Sequence, residues 1–190
     1  MTTPAQTLSM TQVYCTEHLM VGQAAAFFRI HPAIYGWLGR RCVPNVSSQL
    51  TSYKRVHYVV VDHPIDCISK SMGVYVGTES LVEKLVHMNS TGIEFQEMEV
   101  TVSKEYCEED RDLTNVSIPK LYWLKITGTA GVDDFGLSTR LHQALVISKR
   151  ALQAMHEVGL TECDYSDYSE REDSQNNARY ILDMSGFLLD

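Results

Sequence analysis

The stretch 73–95, GVYVGTESLVEKLVHMNSTGIEF, constrains the fold more than any other part of the chain. It opens with Val74-Tyr75-Val76, a run of β-branched and aromatic residues that favours a strand. Thr78 follows as an N-cap, because its hydroxyl can accept a hydrogen bond from the free amides of a first helical turn. Glu79 then stands where the helix dipole favours negative charge. The pattern predicts a strand that leads directly into a helix.

The second half of this stretch predicts how the helix packs and where it ends. Leu81, Val82 and Leu85 fall on one face at helical spacing, so the helix covers an apolar surface. Residues 89–92, Asn-Ser-Thr-Gly, are typical of a helix end, and residues 93–95 resume the alternation of a strand. The whole stretch is therefore predicted to form a strand–helix–strand unit.

The same pattern recurs seventy positions later. Residues 144–147 form an apolar run, and Ser148 takes the place of Thr78 as N-cap. Gly159 ends the second helix, and residues 163–165 correspond to the strand at 93–95. The apolar face of the first helix is matched by Ala151, Leu152 and Met155. Few residues are identical between the two stretches, so the shared pattern is what predicts a duplicated scaffold.

Beyond the two units, strands and helices do not alternate regularly. Strands are predicted at 56–61, which reads as a central strand, and at 121–126. The predicted class is therefore α+β, with a mixed or antiparallel sheet, helices, and two similar strand–helix–strand units packed in one compact body. Further predictions are a buried helix over 17–29, a continuous strand over 95–102, and loops at 128–134 and 166–177.

A chain of 190 residues is long enough to bury a substantial core. We expect one domain over 1–190, with an alternative division into two packed lobes at 11–102 and 103–190. Residues 1–10 are polar and are predicted to be flexible.

Charge is distributed unevenly along the chain. The net charge of -8 and the pI near 5.3 argue against nucleic acid as a partner, because neutralising phosphates needs clustered Lys and Arg. Residues 1–61 carry five basic side chains against the single acid Glu17. Acids instead concentrate in two later segments, 105–112 and 167–173, which predicts an electronegative face suited to a basic protein partner.

The cysteines and the N-terminal residues indicate the cellular compartment of the protein. The five cysteines are scattered and include no CxxC pair, so neither a zinc site nor a disulfide framework is indicated. The N-terminus lacks a Lys/Arg region before its apolar residues, and the apolar run at 19–28 is interrupted by Gly22 and Gln23. These features predict a cytoplasmic protein with reduced thiols, without a secretory signal and without membrane association.

One group of residues raises the alternative of an enzyme. Asp62-His63 and Asp66-Cys67 lie close together in sequence, with His57 upstream, and a cysteine nucleophile needs a nearby base. Because the segment surrounds a proline at a strand end, we favour a structural interpretation, in which His63 caps the strand and Cys67 is buried.

No cofactor, metal site or catalytic set is predicted. The loop at 128–131 lacks the Lys and Ser/Thr that follow the glycines of a phosphate-binding loop. Asp133-Asp134 is interpreted as a turn rather than a metal site, because adjacent side chains rarely point at one ion.

Two stretches resemble the bacterial immunity protein 11 family. The first is Val56 to Ser71, VHYVVVDHPIDCISKS, and the second runs from Gly128 to Leu160 with its Asp-Asp-Phe loop, apolar strand, Ser148 and short helix. The resemblance implies a protein that binds and occludes a toxin, and it brings no catalytic residues. Residues 1–52 and the tail after Ser166 lie outside it.

The leading hypothesis is a cytoplasmic immunity protein that neutralises a basic, secreted effector toxin by binding its toxic domain. The alternatives are a structural or adaptor module of a larger complex and an enzyme with a dispersed site near His63, Asp66 and Cys67. Tyr35 and Tyr165 are additional aromatic candidates for the interface. The predicted partner-binding residues are Trp37, Glu108, Glu109, Asp110, Asp167, Tyr168, Glu170, Glu172 and Asp173.

Overall fold

The computed structural model describes residues 26–45, 53–62, 65–103, 117–138 and 144–169. Within these ranges the chain forms strands and two helices, which confirms the α+β class. The helices are α1 (Glu79–His87) and α2 (Lys149–Glu157). The strands are β1 (Phe27–Pro32), β2 (Gly36–Leu38), β3 (Val43–Pro44), β4 (Tyr53–Arg55), β5 (His57–Val60), β6 (Ile68–Ser71), β7 (Val74–Thr78), β8 (Ile93–Glu97), β9 (Glu99–Val102), β10 (Leu121–Ile126), β11 (Phe135–Leu137), β12 (Leu145–Ser148) and β13 (Cys163–Asp167).

The first predicted unit forms β7, α1 and β8, and it belongs to a sheet with the order β6-β7-β10-β8. β10 pairs antiparallel with both β7 and β8. β7 and β8 therefore run parallel to each other, with α1 as the crossover between them and β10 inserted in the middle.

The second unit repeats this arrangement. Its sheet has the order β11-β12-β1-β13, in which β1 pairs antiparallel with both β12 and β13. The two sheets thus correspond strand for strand, as the recurring sequence pattern predicted. They differ in where the central strand comes from, since β10 follows its unit in the chain whereas β1 precedes both units.

The helix ends of the two units also match. Thr78 and Ser148 cap α1 and α2 with φ/ψ of -71°/158° and -71°/159°. Their hydroxyls accept hydrogen bonds from the amides of Leu81 at 3.4 Å and Ala151 at 3.2 Å, as predicted. After the helices, Asn89 and Gly159 adopt left-handed backbone with φ of 52° and 98°. Asparagine and glycine both tolerate that conformation and so end the helices at equivalent positions.

One core joins the two units. The apolar faces of α1 and α2 meet there, and buried residues of both sheets complete it. Lys84 of α1 forms an ion pair of 2.5 Å with Glu157 of α2 at the surface of this contact. The buried core side chains include Ile30, Ile68, Tyr75, Leu81, Leu85, Leu124, Phe135, Leu145, Ile147, Leu152 and Met155.

A smaller sheet has the order β2-β5-β9. β5 lies in its centre, paired antiparallel with β2 and parallel with β9, which confirms the predicted central strand at 56–61. Val56, Tyr58 and Val60 are fully buried and pack against Val76 and Trp123 of the first unit. β3 and β4 form a separate two-stranded ribbon.

Three segment predictions need correction. Residues 27–29 belong to β1 rather than to a helix, because this segment pairs with strands on both sides; residues 17–25 lie outside the described ranges. The strand predicted over 95–102 is broken at Met98, since β8 joins β10 and β9 joins β5. Ser166 and Asp167 belong to β13 rather than to a loop.

Neither helix of the described part of the chain has the length and apolar character needed to cross a bilayer.

Candidate functional site

β13 is an exposed edge strand. Its one strand neighbour in the described part of the chain is β1. Four consecutive residues, Asp164, Tyr165, Ser166 and Asp167, are exposed, which is unusual for a strand of a sheet that packs on a core. The strand therefore presents two carboxylates and an aromatic ring to solvent.

Tyr165 is the aromatic centre of this strand. Half of its surface is exposed (50%), while the ring meets Phe28 of β1 edge-on with centroids 6.0 Å apart. The ring also lies 5.9 Å from the imidazole of His156 on α2. A side chain fixed by its neighbours but still half-exposed loses little conformational freedom when a partner covers it.

The backbone of β13 offers hydrogen-bonding groups to solvent. The Tyr168 amide donates to the Phe27 carbonyl at 2.9 Å, so this pair is a hydrogen-bonded pair of the β1–β13 ladder. Such pairs alternate in an antiparallel ladder, and the register therefore directs the amides and carbonyls of Cys163, Tyr165 and Asp167 away from β1. These groups form the open edge of the sheet.

β8 is the equivalent strand of the first unit and provides an internal comparison. Its sequence, Ile-Glu-Phe-Gln-Glu, has the same chemical order as Cys-Asp-Tyr-Ser-Asp in β13. In β8 both acids have a lysine partner, because Glu94 pairs with Lys125 at 2.7 Å and Glu97 shares Lys120 with Glu79, each at 3.7 Å.

The carboxylates of β13 differ in this respect. The strand neighbour of Asp164 is His31 and that of Asp167 is Phe28. Neither carboxylate forms an ion pair with a cation of the described ranges. β13 therefore presents two exposed carboxylates that form no ion pair with a described residue. The acids of β8, by contrast, pair with one lysine on β10 and one directly before it.

The predicted partner-binding residues are only partly brought together. Asp167 and Tyr168 lie at the end of β13 beside Phe27, whereas Trp37 lies on β2, beyond the opposite end of β1. Trp37 is 44% exposed, but it does not belong to the β13 surface. The remaining predicted residues, Glu108, Glu109, Asp110, Glu170, Glu172 and Asp173, lie outside the described ranges.

Two of the tyrosines have roles within the fold. Tyr35, suggested as an interface anchor, is only 5% exposed, and its hydroxyl donates to the Glu162 carboxylate at 2.7 Å. That suggestion is wrong, because the ring is already buried. The half-buried ring of Tyr168 lies 5.7 Å from the Arg29 guanidinium, an approach that favours cation–π attraction.

Asp66, from the alternative enzymatic hypothesis, has a structural role. Its carboxylate is buried and accepts hydrogen bonds from the backbone amides of Cys67 at 2.6 Å, Thr161 at 3.0 Å and Glu162 at 2.7 Å. Thr161 and Glu162 form the turn between α2 and β13. Asp66 therefore fixes the entry into the exposed edge strand.

Cys67 is not arranged as a nucleophile. Its thiol is buried and lies 3.8 Å from the Met155 carbonyl. Burial, and then the negative charge of Asp66, raise the pKa of this thiol far above its usual range. The thiol therefore stays protonated at neutral pH, and a thiolate is needed for nucleophilic attack. The predicted burial of Cys67 is confirmed, whereas His63 lies outside the described ranges.

His57 is buried in a different part of the molecule. Its Nε2 lies 2.8 Å from the Thr101 hydroxyl, and the Arg41 guanidinium approaches the same nitrogen at 3.1 Å. Burial lowers the pKa of His57, and the positive charge of Arg41 lowers it further. These contacts lie on β9 and on the turn after β2, whereas Asp66 and Cys67 contact the segment after α2. The described residues of the enzymatic hypothesis therefore do not converge on one site.

Asp134 is the counterpart of Asp66 and was not identified as such from the sequence. It accepts hydrogen bonds from the Thr91 amide at 2.9 Å and the Ser148 hydroxyl at 2.7 Å, and it forms an ion pair with Arg150. Each carboxylate thus binds the turn after the helix of the other unit, at Thr91 and at Thr161, seventy positions apart. The predicted turn at Asp133-Asp134 is confirmed, since Asp133 accepts from the Thr129 amide at 2.8 Å.

A shallow groove of about 420 Å³ lies between β9 and the approach to β10. Its apolar lining comes from Met98, Val100, Ile118 and Leu121, and its charged residues, Glu97 and Lys120, form an ion pair of 3.7 Å. The groove offers a contact surface without a free acid or base.

Neither a scan against protein-family models nor a search of curated proteins found a match to this chain. The resemblance to the immunity protein 11 family therefore stays a prediction that rests on the two stretches quoted above.

Proposed function

We propose that this chain is an immunity-type binding protein that neutralises a basic toxin domain by covering it. The observation that carries the proposal is the exposed β13 surface, where Asp164 and Asp167 form no ion pair with a described residue and the ring of Tyr165 is half-exposed. Tyrosine is one of the residue types enriched at interface hot spots, and polar and charged groups commonly form the rim around such an anchor.

The charge of the β13 surface determines the kind of partner. Carboxylates at an exposed edge attract cationic domains and accelerate their encounter, while they disfavour acidic competitors. The described ranges hold thirteen acidic and eleven basic side chains, so most of the excess negative charge belongs to the other segments of the sequence. β13 is the place in the described part of the chain where this charge is unpaired and adjoins an aromatic ring.

The mode of action follows from the same surface. A stable complex buries on the order of 1,600 Å² in total, far more than one strand supplies. β13 therefore acts as the centre of a larger contact that occludes the toxic domain. The neutraliser acts in the cytoplasm, where the toxin would reach its target.

The test is co-expression with the product of the adjacent gene, with growth and co-purification as readouts. We expect both rescue and a stable complex. The Asp164→Asn/Asp167→Asn double variant should weaken the complex, whereas the matched Glu94→Gln/Glu97→Gln variant on β8 should not. Failure of both rescue and co-purification would remove the proposal, and co-purification without rescue would favour an adaptor module instead.

A further inference from the structure

We propose that β13 receives an extended, cationic segment of the partner by β-strand addition, an inference that rests on the proposed function. The β11-β12-β1-β13 sheet would gain a fifth strand beside β13. Side-chain charge would select the segment, and backbone hydrogen bonds would hold it.

The backbone of β13 is suited to strand addition. The register with β1 leaves the amides and carbonyls of Cys163, Tyr165 and Asp167 directed outward. Strand addition uses this row of groups, which pair with no strand in the described part of the chain. An extended segment can therefore bind without any rearrangement of the sheet.

The two carboxylates of β13 lie on opposite faces of the strand. Successive side chains of a strand point to opposite faces, so Asp164 and Asp167 lie on opposite faces, with Tyr165 on the same face as Asp167. A segment with Lys or Arg on both faces meets both carboxylates, and an aliphatic residue opposite Tyr165 covers the ring. Cross-strand pairs of opposite charge stabilise such an addition.

One other occupant and one other site are disfavoured. A second copy of the chain paired through β13 would bring four aspartates to one junction, which like-charge repulsion disfavours. The β8 edge is the corresponding place in the first unit, but its acids already pair with Lys120 and Lys125. A cationic segment therefore gains more at β13 than at β8.

The test uses the whole protein and a short peptide that contains Lys-Val-Val-Lys, which places one lysine on each face of the added strand, with glutamate in place of lysine in a control peptide. Amide exchange followed by NMR should slow at least about tenfold at Tyr165 and Asp167 when the lysine peptide is in excess. The outward amides of Phe95 and Glu97 on β8 should not change, and the glutamate peptide should have no effect.

A backbone variant separates strand addition from simple charge attraction. Tyr165→Pro removes one outward amide without breaking the β1 ladder, because edge strands tolerate proline where the amide faces solvent. We expect it to weaken peptide binding by about tenfold relative to Tyr165→Thr, which keeps the amide.

Each outcome of these experiments either supports strand addition or overturns it. Absence of lysine-peptide binding, equal binding of both peptides, equal affinities of the two variants, protection of β8 instead of β13, or self-association through β13 would overturn strand addition. Because these readouts need no toxin, they are independent of the co-expression test. A rescued complex that Tyr165→Pro leaves intact would retain the proposed function and reject this mode of binding.

Discussion

Asp134 shows how one buried carboxylate links stability to pH. Burial opposes its ionisation, but hydrogen bonds from Arg150 and Ser148 outweigh that effect and lower its pKa to about 2, from 3.8. The unfolded chain therefore binds this proton more readily than the folded protein. The stabilisation is complete above pH 4 and is lost as pH falls from about 4 towards 2.

We expect Asp134→Asn to lower the free energy of unfolding by about 2 kcal/mol at pH 7. The difference from the wild type should shrink as the pH is lowered from about 4 towards 2, since the wild-type carboxylate is protonated first in the unfolded chain and then, near pH 2, in the folded protein. Urea unfolding at several pH values measures this difference. A constant difference across the range would contradict the role given to the charge.

Cys67 provides a second prediction at the scale of one residue. Because its thiol is buried and its pKa is raised, it should resist iodoacetamide in the folded protein at pH 8. It should react readily once urea unfolds the chain. Mass spectrometry of the Cys67 peptide distinguishes it from the other cysteines, and rapid alkylation of the native protein would revive the enzymatic hypothesis.

At the scale of the element, the two helices depend on the same capping chemistry. Thr78→Ala and Ser148→Ala should each lower stability by about 1 kcal/mol, since each removes the acceptor for one first-turn amide. Thr78→Ser should retain most of the stability and serves as the control. Thermal unfolding compares the variants, and clearly unequal losses at the two caps would contradict their equivalence.

The sequence predicted those elements that local patterns determine. Cap residues and apolar spacing were enough for α1 and α2, and the order apolar–acid–aromatic identified the starts of β8 and β13. Strand pairing was not predictable in this way, because β1 finds its partners more than a hundred residues away at β12 and β13. For the same reason, local composition could not show that Met98 divides β8 from β9.

Less of the candidate site than of the fold could be predicted from the sequence. Asp167 was identified from the acidic character of its segment, and Tyr165 and Tyr168 from their aromatic rings. The open edge depends on which side of β13 pairs with β1, and this is a tertiary property. The hydrogen bond of the Tyr35 hydroxyl is likewise tertiary, because its acceptor, Glu162, lies far from it in sequence.

At the scale of the whole molecule, hydrogen bonds from two carboxylates connect the two units across their shared core. Asp66 of the first unit holds the turn at Thr161, and Asp134, which leads into β11, holds the turn at Thr91. Each turn precedes the edge strand of its own sheet. Neither unit therefore completes its own structure, which favours one domain over two independent lobes.

These reciprocal hydrogen bonds predict that the two units unfold cooperatively. Asp66→Ala should lower the free energy of unfolding by about 2–4 kcal/mol, because it leaves the buried amide of Cys67 and the partly buried amides of Thr161 and Glu162 without their acceptor. The loss should lower the stability of both units together. Far-UV circular dichroism, which reports on both helices, should therefore give the same urea midpoint as tryptophan fluorescence in a Trp37→Phe background, where the signal comes from Trp123, buried on β10. If the variant unfolded in two separate steps, the units would be independent lobes, and the turn held by Asp66 would stabilise β13 alone.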